Sequence, residues 1–151
     1  MIVECPDLEA MAALGARIAA RLQPGDVIAL TGDLGAGKTT LARAILAGLG
    51  HAGEVPSPTF TILETYDGAE MRIAAVHADF YRLDDPSEIR ELGLEDYREG
   101  AVLIAEWPDH AGGFAHLPEC LGIRIEIMGQ SVGGGRKAIV EAGTDWLERL
   151  P

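Results

Sequence analysis

Residues Gly32-Asp33-Leu34-Gly35-Ala36-Gly37-Lys38-Thr39 read G-x-x-x-x-G-K-[ST], the spacing of a phosphate-binding loop. This pattern constrains the fold because it works only where a buried strand runs into a helix. Both flanks comply. Asp26-Val27-Ile28-Ala29-Leu30-Thr31 is a short apolar run bounded by turn residues and reads as a buried strand. Lys38 to Leu49 carries Leu41, Ala44, Ile45, Leu46 and Leu49 among strong helix formers and stops near Gly48 and Gly50, which predicts a buried helix. Glycines let the intervening loop curl so that successive backbone N–H groups point inward, and the helix N-terminus adds partial positive charge there. Lys38 can then reach the β and γ phosphates of a nucleotide, and the Thr39 hydroxyl is placed for the Mg²⁺ that bridges them. In a chain with 19 glycines, such a match arises by chance in roughly two of every thousand sequences, and its strand-then-helix context lowers that further.

The rest of the chain alternates in the same manner. Asp7 stands as an N-cap before Leu8, Met11, Leu14, Ile18 and Leu22, an amphipathic helix ended by Gln23-Pro24-Gly25. Thr59 to Tyr66, the turn Asp67-Gly68 and Met71 to His77 read as strand, turn and strand. Asp85 and Pro86 open a helix that Gly93 closes, and Ala101 to Trp107 is a second buried strand. Leu121 to Ile127 and Arg136 to Ala142, separated by Gly133-Gly134-Gly135, read as strands nearer the sheet edge, and Thr144 to Leu150 as a short closing helix. These elements predict one α/β domain over 1–151, a P-loop NTPase-like sheet flanked by helices with additional antiparallel C-terminal strands. No internal repeat or long linker divides it.

Composition narrows the function. The chain of 151 residues carries a net charge of −12 and has only two lysines, Lys38 and Lys137. A phosphate-backbone clamp on nucleic acid needs a basic face, so tight direct binding of RNA or DNA is not expected. Cys5 and Cys120 form no CxxC, which fits a reducing compartment. The acidic N-terminus and the lack of a long apolar run predict a cytoplasmic protein without a membrane role. There is no asparagine, so the N-K-x-D guanine-reading motif is excluded.

Nucleotide hydrolysis needs a carboxylate at the end of a strand beside the loop. Two strands end suitably, Ala101-Val102-Leu103-Ile104-Ala105-Glu106 and Ile73-Ala74-Ala75-Val76-His77-Ala78-Asp79. With 24 acids in the chain, an acid at a strand end is by default a solvated charge, but an acid that directly follows an apolar run is rarer. We read Glu106 as the metal carboxylate and Asp79 as the water-orienting or base residue, although pattern alone permits the reverse. Ser57-Pro58-Thr59-Phe60 lies where nucleotide switches place a hydroxyl sensitive to the γ-phosphate, and an ordinary strand-entry turn fits it equally. His51, His77, His110 and His116 show no metal-ligand spacing and read as structural or surface residues.

The Gly32 to Thr40 block, Ser57-Pro58-Thr59-Phe60, His77-Ala78-Asp79-Phe80-Tyr81-Arg82-Leu83 and Glu106-Trp107-Pro108 together resemble the bacterial TsaE (YjeE) family of tRNA threonylcarbamoyladenosine biosynthesis. The resemblance implies a P-loop fold that binds ATP and Mg²⁺. It also implies weak intrinsic ATPase activity, in support of the partner proteins TsaB and TsaD, which install threonylcarbamoyl on the adenosine beside the anticodon. Carried over by motif, Asp33, Leu34, Gly35, Ala36, Gly37, Lys38, Thr39 and Thr40 contact nucleotide, with Lys38 on the phosphates. Thr39 and Glu106 serve Mg²⁺, Asp79 assists hydrolysis, Trp107 lies close to the nucleotide, and Arg136 is similar to a nucleotide-contacting residue.

Two other readings compete. A small-molecule kinase would use an arginine-bearing lid, for which Arg82, Arg90 and Arg98 are available, and a nucleotide-gated interaction module would need no turnover.

Overall fold

The computed structural model describes residues 1–56, 63–85, 87–129 and 134–151. The Ser57-Pro58-Thr59-Phe60 motif, the first part of the strand expected from Thr59, Pro86 and Gly133 lie outside the described residues. Among the described residues seven strands form one sheet: β1 (Ile2–Cys5), β2 (Val27–Thr31), β3 (Leu63–Tyr66), β4 (Ala74–Asp79), β5 (Ala101–Glu106), β6 (Cys120–Ile127) and β7 (Arg136–Ala142). Their order is β1-β7-β6-β2-β5-β4-β3. Strands β6, β2, β5 and β4 run parallel, with antiparallel β3 on one side and β7 and β1 on the other.

Helices α1 (Leu8–Arg21) and α2 (Lys38–Gly48) cover one face. Asp7 caps α1 by accepting the Ala10 N–H at 2.8 Å, and the apolar stripe beneath it buries Met11, Leu14 and Ile18. Strand alternation sends Ile28, Leu30, Val102 and Ile104 into this layer and Val27, Ala29, Leu103 and Ala105 to the opposite one. There Leu94, Phe80 and Phe114 complete a second core. It lies under the short helices α3 (Glu88–Leu92) and α4 (Leu94–Arg98) and the 3₁₀ turn Pro108–Ala111. Each fully buried Leu or Ile contributes about 1.5–3 kcal/mol relative to exposure, so the continuous layer over β2 and β5 fixes the position of α2.

The structure amends several expected boundaries. Strand β6 is interior, hydrogen-bonded to β2, and the edge on that side is β1, a strand the sequence pattern does not predict. It escapes pattern reading because it has only four residues, Ile2-Val3-Glu4-Cys5, and of these only Cys5 is fully buried. The strand expected at Met71–His77 runs instead from Ala74 to Asp79, paired to β5 throughout. The closing helix reduces to a 3₁₀ turn over Thr144–Trp146. Trp146 is nevertheless fully buried, and its indole N–H donates to the Glu119 carbonyl at 2.9 Å.

Close approach of α1 to α2 holds the loop's helix in place. At Gly15 an added Cβ would overlap the Ala44 Cβ and come within 2.9 Å of the Ala44 backbone carbon. Alanine is the better helix former by about 1 kcal/mol, but overlap with backbone cannot be relieved by a rotamer change and costs about 1–3 kcal/mol. Gly15→Ala is therefore expected to lower unfolding free energy by up to about 2 kcal/mol in urea denaturation; a gain in stability would contradict this packing account.

Candidate functional site

The loop leaves β2 at Thr31 and enters α2 at Lys38. Gly37 has φ 116° and Gly35 φ 79°, conformations that only glycine adopts without strain. At Gly32 a Cβ would stand 2.5 Å from the Ile125 carbonyl oxygen, so the first glycine is required by the adjacent strand β6. Arg136, at the start of β7, braces the loop from outside: its Nε donates to the Ala36 carbonyl at 2.7 Å and its Nη1 to the Gly134 carbonyl at 2.6 Å.

Lys38 turns back into the loop. Its Nζ donates to the carbonyls of Gly32 at 2.6 Å and Asp33 at 2.9 Å and lies 4.4 Å from the centroid of the Trp107 ring. Burial pushes its ammonium below the ordinary lysine value, against the opposing pull of the Glu106, Asp79 and Asp33 carboxylates.

Parallel pairing of β4 with β5 sets Asp79 opposite Glu106, both at the C-terminal ends of their strands, where ligands bind in open α/β sheets. Leu30 of β2 stands opposite Glu106 on the other side, so the carboxylate sits beside the beginning of the loop. Glu106 is 2% exposed. Its Oε1 accepts the Thr39 hydroxyl at 2.8 Å, and its Oε2 lies 2.6 Å from Nε2 of His77. The Asp79 Oδ1 accepts the Tyr81 N–H at 2.9 Å.

Trp107 follows Glu106 in the left-handed region at φ 54°, the sole non-glycine with positive φ among the described residues. That conformation costs about 1–2 kcal/mol, and such strain persists where the surroundings enforce it. Here Tyr81 packs at 4.9 Å and His110 at 5.6 Å between ring centroids, and Pro108 is buried behind.

These groups line a cleft of about 320 Å³ bounded by Leu34, Gly35, Gly37, Lys38, Thr39, Thr40, Asp79, Glu106 and Trp107. Asp33 contributes its carbonyl to Lys38, while its side chain is exposed and outside the cleft. Ala36 and Arg136 line an adjoining cavity of about 290 Å³ with Asp7 and Met11 at the start of α1 and Thr40 in the first turn of α2. Another cleft, also about 320 Å³, lies on the opposite sheet face beside Gly122, Arg124 and Glu141 and is lined by no residue of Gly32 to Thr40. Arg98, a candidate kinase lid residue, is paired with Glu95 and Glu119 and borders none of these clefts.

Of the four histidines read as structural or surface residues, His77 is structural: it is fully buried against Glu106. The signal for it was its position two residues before Asp79 on the same strand face, which puts both toward α2.

A glycine-curled loop at a helix N-terminus, with two carboxylates on adjoining parallel strands, defines an α/β protein with a P-loop NTPase-like fold. Comparison with known proteins then specifies the family. Residues 5–138 match the family model described as "Threonylcarbamoyl adenosine biosynthesis protein TsaE", and the chain belongs to the TsaE family. Relatives called tRNA threonylcarbamoyladenosine biosynthesis protein TsaE include one from Haemophilus influenzae, 46% identical over 62% of this chain. One from Bacillus subtilis is 45% identical over 67% of it. These matches span 57% and 58% of the relatives' own lengths. The crystal structure of Bacillus subtilis YdiB superimposes with a TM-score of 0.79 and 31% identity, covering 99% of this chain and 90% of that one. Among the described residues no helix is long and apolar enough to cross a membrane.

The Thr39–Glu106 bond should be visible in stability alone. Thr39→Val keeps the shape but leaves Oε1 of a buried carboxylate without that donor, for an expected loss of about 1–3 kcal/mol in denaturant unfolding, which Thr39→Ser restores. Equal stability of the valine variant and wild type would remove the bond from the account.

Proposed function

We propose that this chain is a Mg²⁺-dependent ATP-binding protein whose ATPase activity supports TsaB and TsaD in tRNA threonylcarbamoyladenosine biosynthesis. The observation that carries this reading is the convergence of Lys38 and Thr39 from the loop with Asp79 and Glu106 from two strand ends on a single cleft.

The donor set suits the ligand. The cleft presents a hydroxyl and carboxylates, hard oxygen ligands of the kind Mg²⁺ takes. Among the described residues no cluster of three or more His, Cys, Asp or Glu side chains could hold a metal by itself. Mg²⁺ characteristically uses one or two protein oxygens and completes its shell with phosphates and water. Thr39 and Glu106 would hold the ion, which when bound would screen the charge of the phosphates. Lys38 exchanges the two loop carbonyls for phosphate oxygens. The loop N–H groups and the α2 N-terminus cradle the remaining charge, while Asp79 orients the attacking water. Asp33, Leu34, Gly35, Ala36, Gly37 and Thr40 supply the cradle's backbone and walls, and Trp107 closes one side. Arg136 and the start of α1 border the adjoining cavity, where the nucleoside portion fits.

The charge of −12 supports a division of labour in which partner proteins hold the RNA. The isolated chain is expected to bind tRNA weakly; a tight, salt-sensitive complex with tRNA would count against this.

The test is ATP hydrolysis with Mg²⁺, alone and with TsaB and TsaD, for wild type, Lys38→Ala and Glu106→Ala. Turnover should be slow alone and rise with the partners. Lys38→Ala should retain the nucleotide-free fold while losing about 1.5–3 kcal/mol of nucleotide binding, roughly 10–150-fold, because a charge-assisted contact is removed. Phosphate release unchanged by both substitutions would sink the ATPase assignment. Phosphate transferred to a metabolite would favour a kinase, and tight binding without stimulated release an inert nucleotide-gated module.

A further inference from the structure

We propose that His77 is a positioning residue that sets the orientation of the Glu106 carboxylate. This deepens the proposed function and rests on it where Glu106 is taken to serve Mg²⁺. His77 lies in the middle of β4, flanked in register by Glu64 of β3 and Ile104 of β5, and is 0% exposed. Burying an imidazole there is costly unless its ring nitrogens are used. One of them is: Nε2 lies 2.6 Å from Glu106 Oε2 and, facing a carboxylate, donates its proton. Nδ1 has no hydrogen-bond partner among the described residues. The arrangement is consistent with a single tautomer, in which the proton sits on Nε2 and Nδ1 presents a lone pair instead of an N–H that would need an acceptor.

The consequence falls on Glu106. A carboxylate at a strand end rotates readily about its terminal torsion, which is broad and roughly two-fold. Here Thr39 Oγ1 holds Oε1 at 2.8 Å from the loop side while His77 holds Oε2 from the β4 side, so both oxygens are fixed. Thr39 donates its proton in this contact and keeps oxygen lone pairs for a cation. With Oε2 engaged by the buried imidazole, Oε1 is directed to the loop. Supporting partners of this kind orient groups that serve a metal, and removing them typically costs 10–100-fold in metal affinity.

Two substitutions separate positioning from core filling. Leucine fills the space and donates nothing, whereas the Gln amide N–H₂ can stand in for Nε2–H. Crystal structures of the nucleotide-free full-length His77→Leu and His77→Gln proteins would be paired with the Mg²⁺ concentration giving half-maximal ATP turnover. His77→Leu is expected to melt cooperatively and lose the Thr39–Glu106 bond. Its half-maximal Mg²⁺ should rise about 10–100-fold, with kcat at saturating Mg²⁺ largely retained. His77→Gln should keep the bond and stay within about threefold of wild type in Mg²⁺. An intact Thr39–Glu106 bond in His77→Leu overturns the proposal, as does a glutamine variant as impaired as the leucine one. Glu106→Gln tests the underlying reading separately. If its Mg²⁺ requirement matches wild type, the metal role of Glu106 fails, while the crystal structures still decide whether His77 orients it.

Discussion

The hydrogen bond from the Thr39 hydroxyl to Glu106 joins the first turn of α2 to the end of β5, 67 residues further along the chain. Everything distinctive about the site depends on those two elements meeting. Parallel pairing of β2 with β5 puts Leu30 opposite Glu106, so the loop that leaves β2 begins beside the carboxylate. The apolar layer beneath α2 then sets the distance, because Leu41, Ile45, Ile28 and Ile104 belong to one buried cluster. Shift α2 by one ångström and the hydroxyl no longer reaches its acceptor. The close contact of Gly15 with Ala44 is accordingly part of the site's construction, although it lies on the far side of α2.

A second constraint is how the loop satisfies itself without phosphate. A cradle of inward N–H groups beside a buried ammonium would be unfavourable left alone. Lys38 meets its own need with the Gly32 and Asp33 carbonyls and the face of Trp107. Arg136 ties the outer carbonyls of the same loop to β7. These bonds keep the curl in place, and those of Lys38 are the ones a phosphate would replace. The strain at Trp107 has a comparable logic: its left-handed backbone turns the indole over Lys38, and Tyr81 and His110 keep it there.

Much of this was legible in the residues, and what was not has physical causes. The loop, its flanking strand and helix, and the strand-end acids Asp79 and Glu106 could be read because spacing and apolar runs encode them locally. The Asp7 cap was likewise visible, since capping depends on four neighbouring residues. Strand order was not, because pairing of β6 with β2 is a long-range choice that alternation within Leu121–Ile127 cannot express. Strand β1 escaped notice because an edge strand of four residues buries too little to show a period. His77 could be read only as structural or surface because a lone histidine in an apolar strand carries no spacing signal; its partner across the sheet, Glu106, is what distinguishes the two. The acid pair remained ambiguous for the same reason; the structure adds that the Glu106 carboxylate accepts the Thr39 hydroxyl.

The central claim, that the loop and the two strand-end carboxylates form one nucleotide site, is tested most directly by a crystal structure with a non-hydrolysable ATP analogue and Mg²⁺. The account predicts Lys38 Nζ released from the Gly32 and Asp33 carbonyls onto the β and γ phosphates, the cation held by Thr39 and Glu106, and Asp79 facing the γ-phosphate. An analogue bound elsewhere, with the Lys38 carbonyl contacts intact, would contradict it.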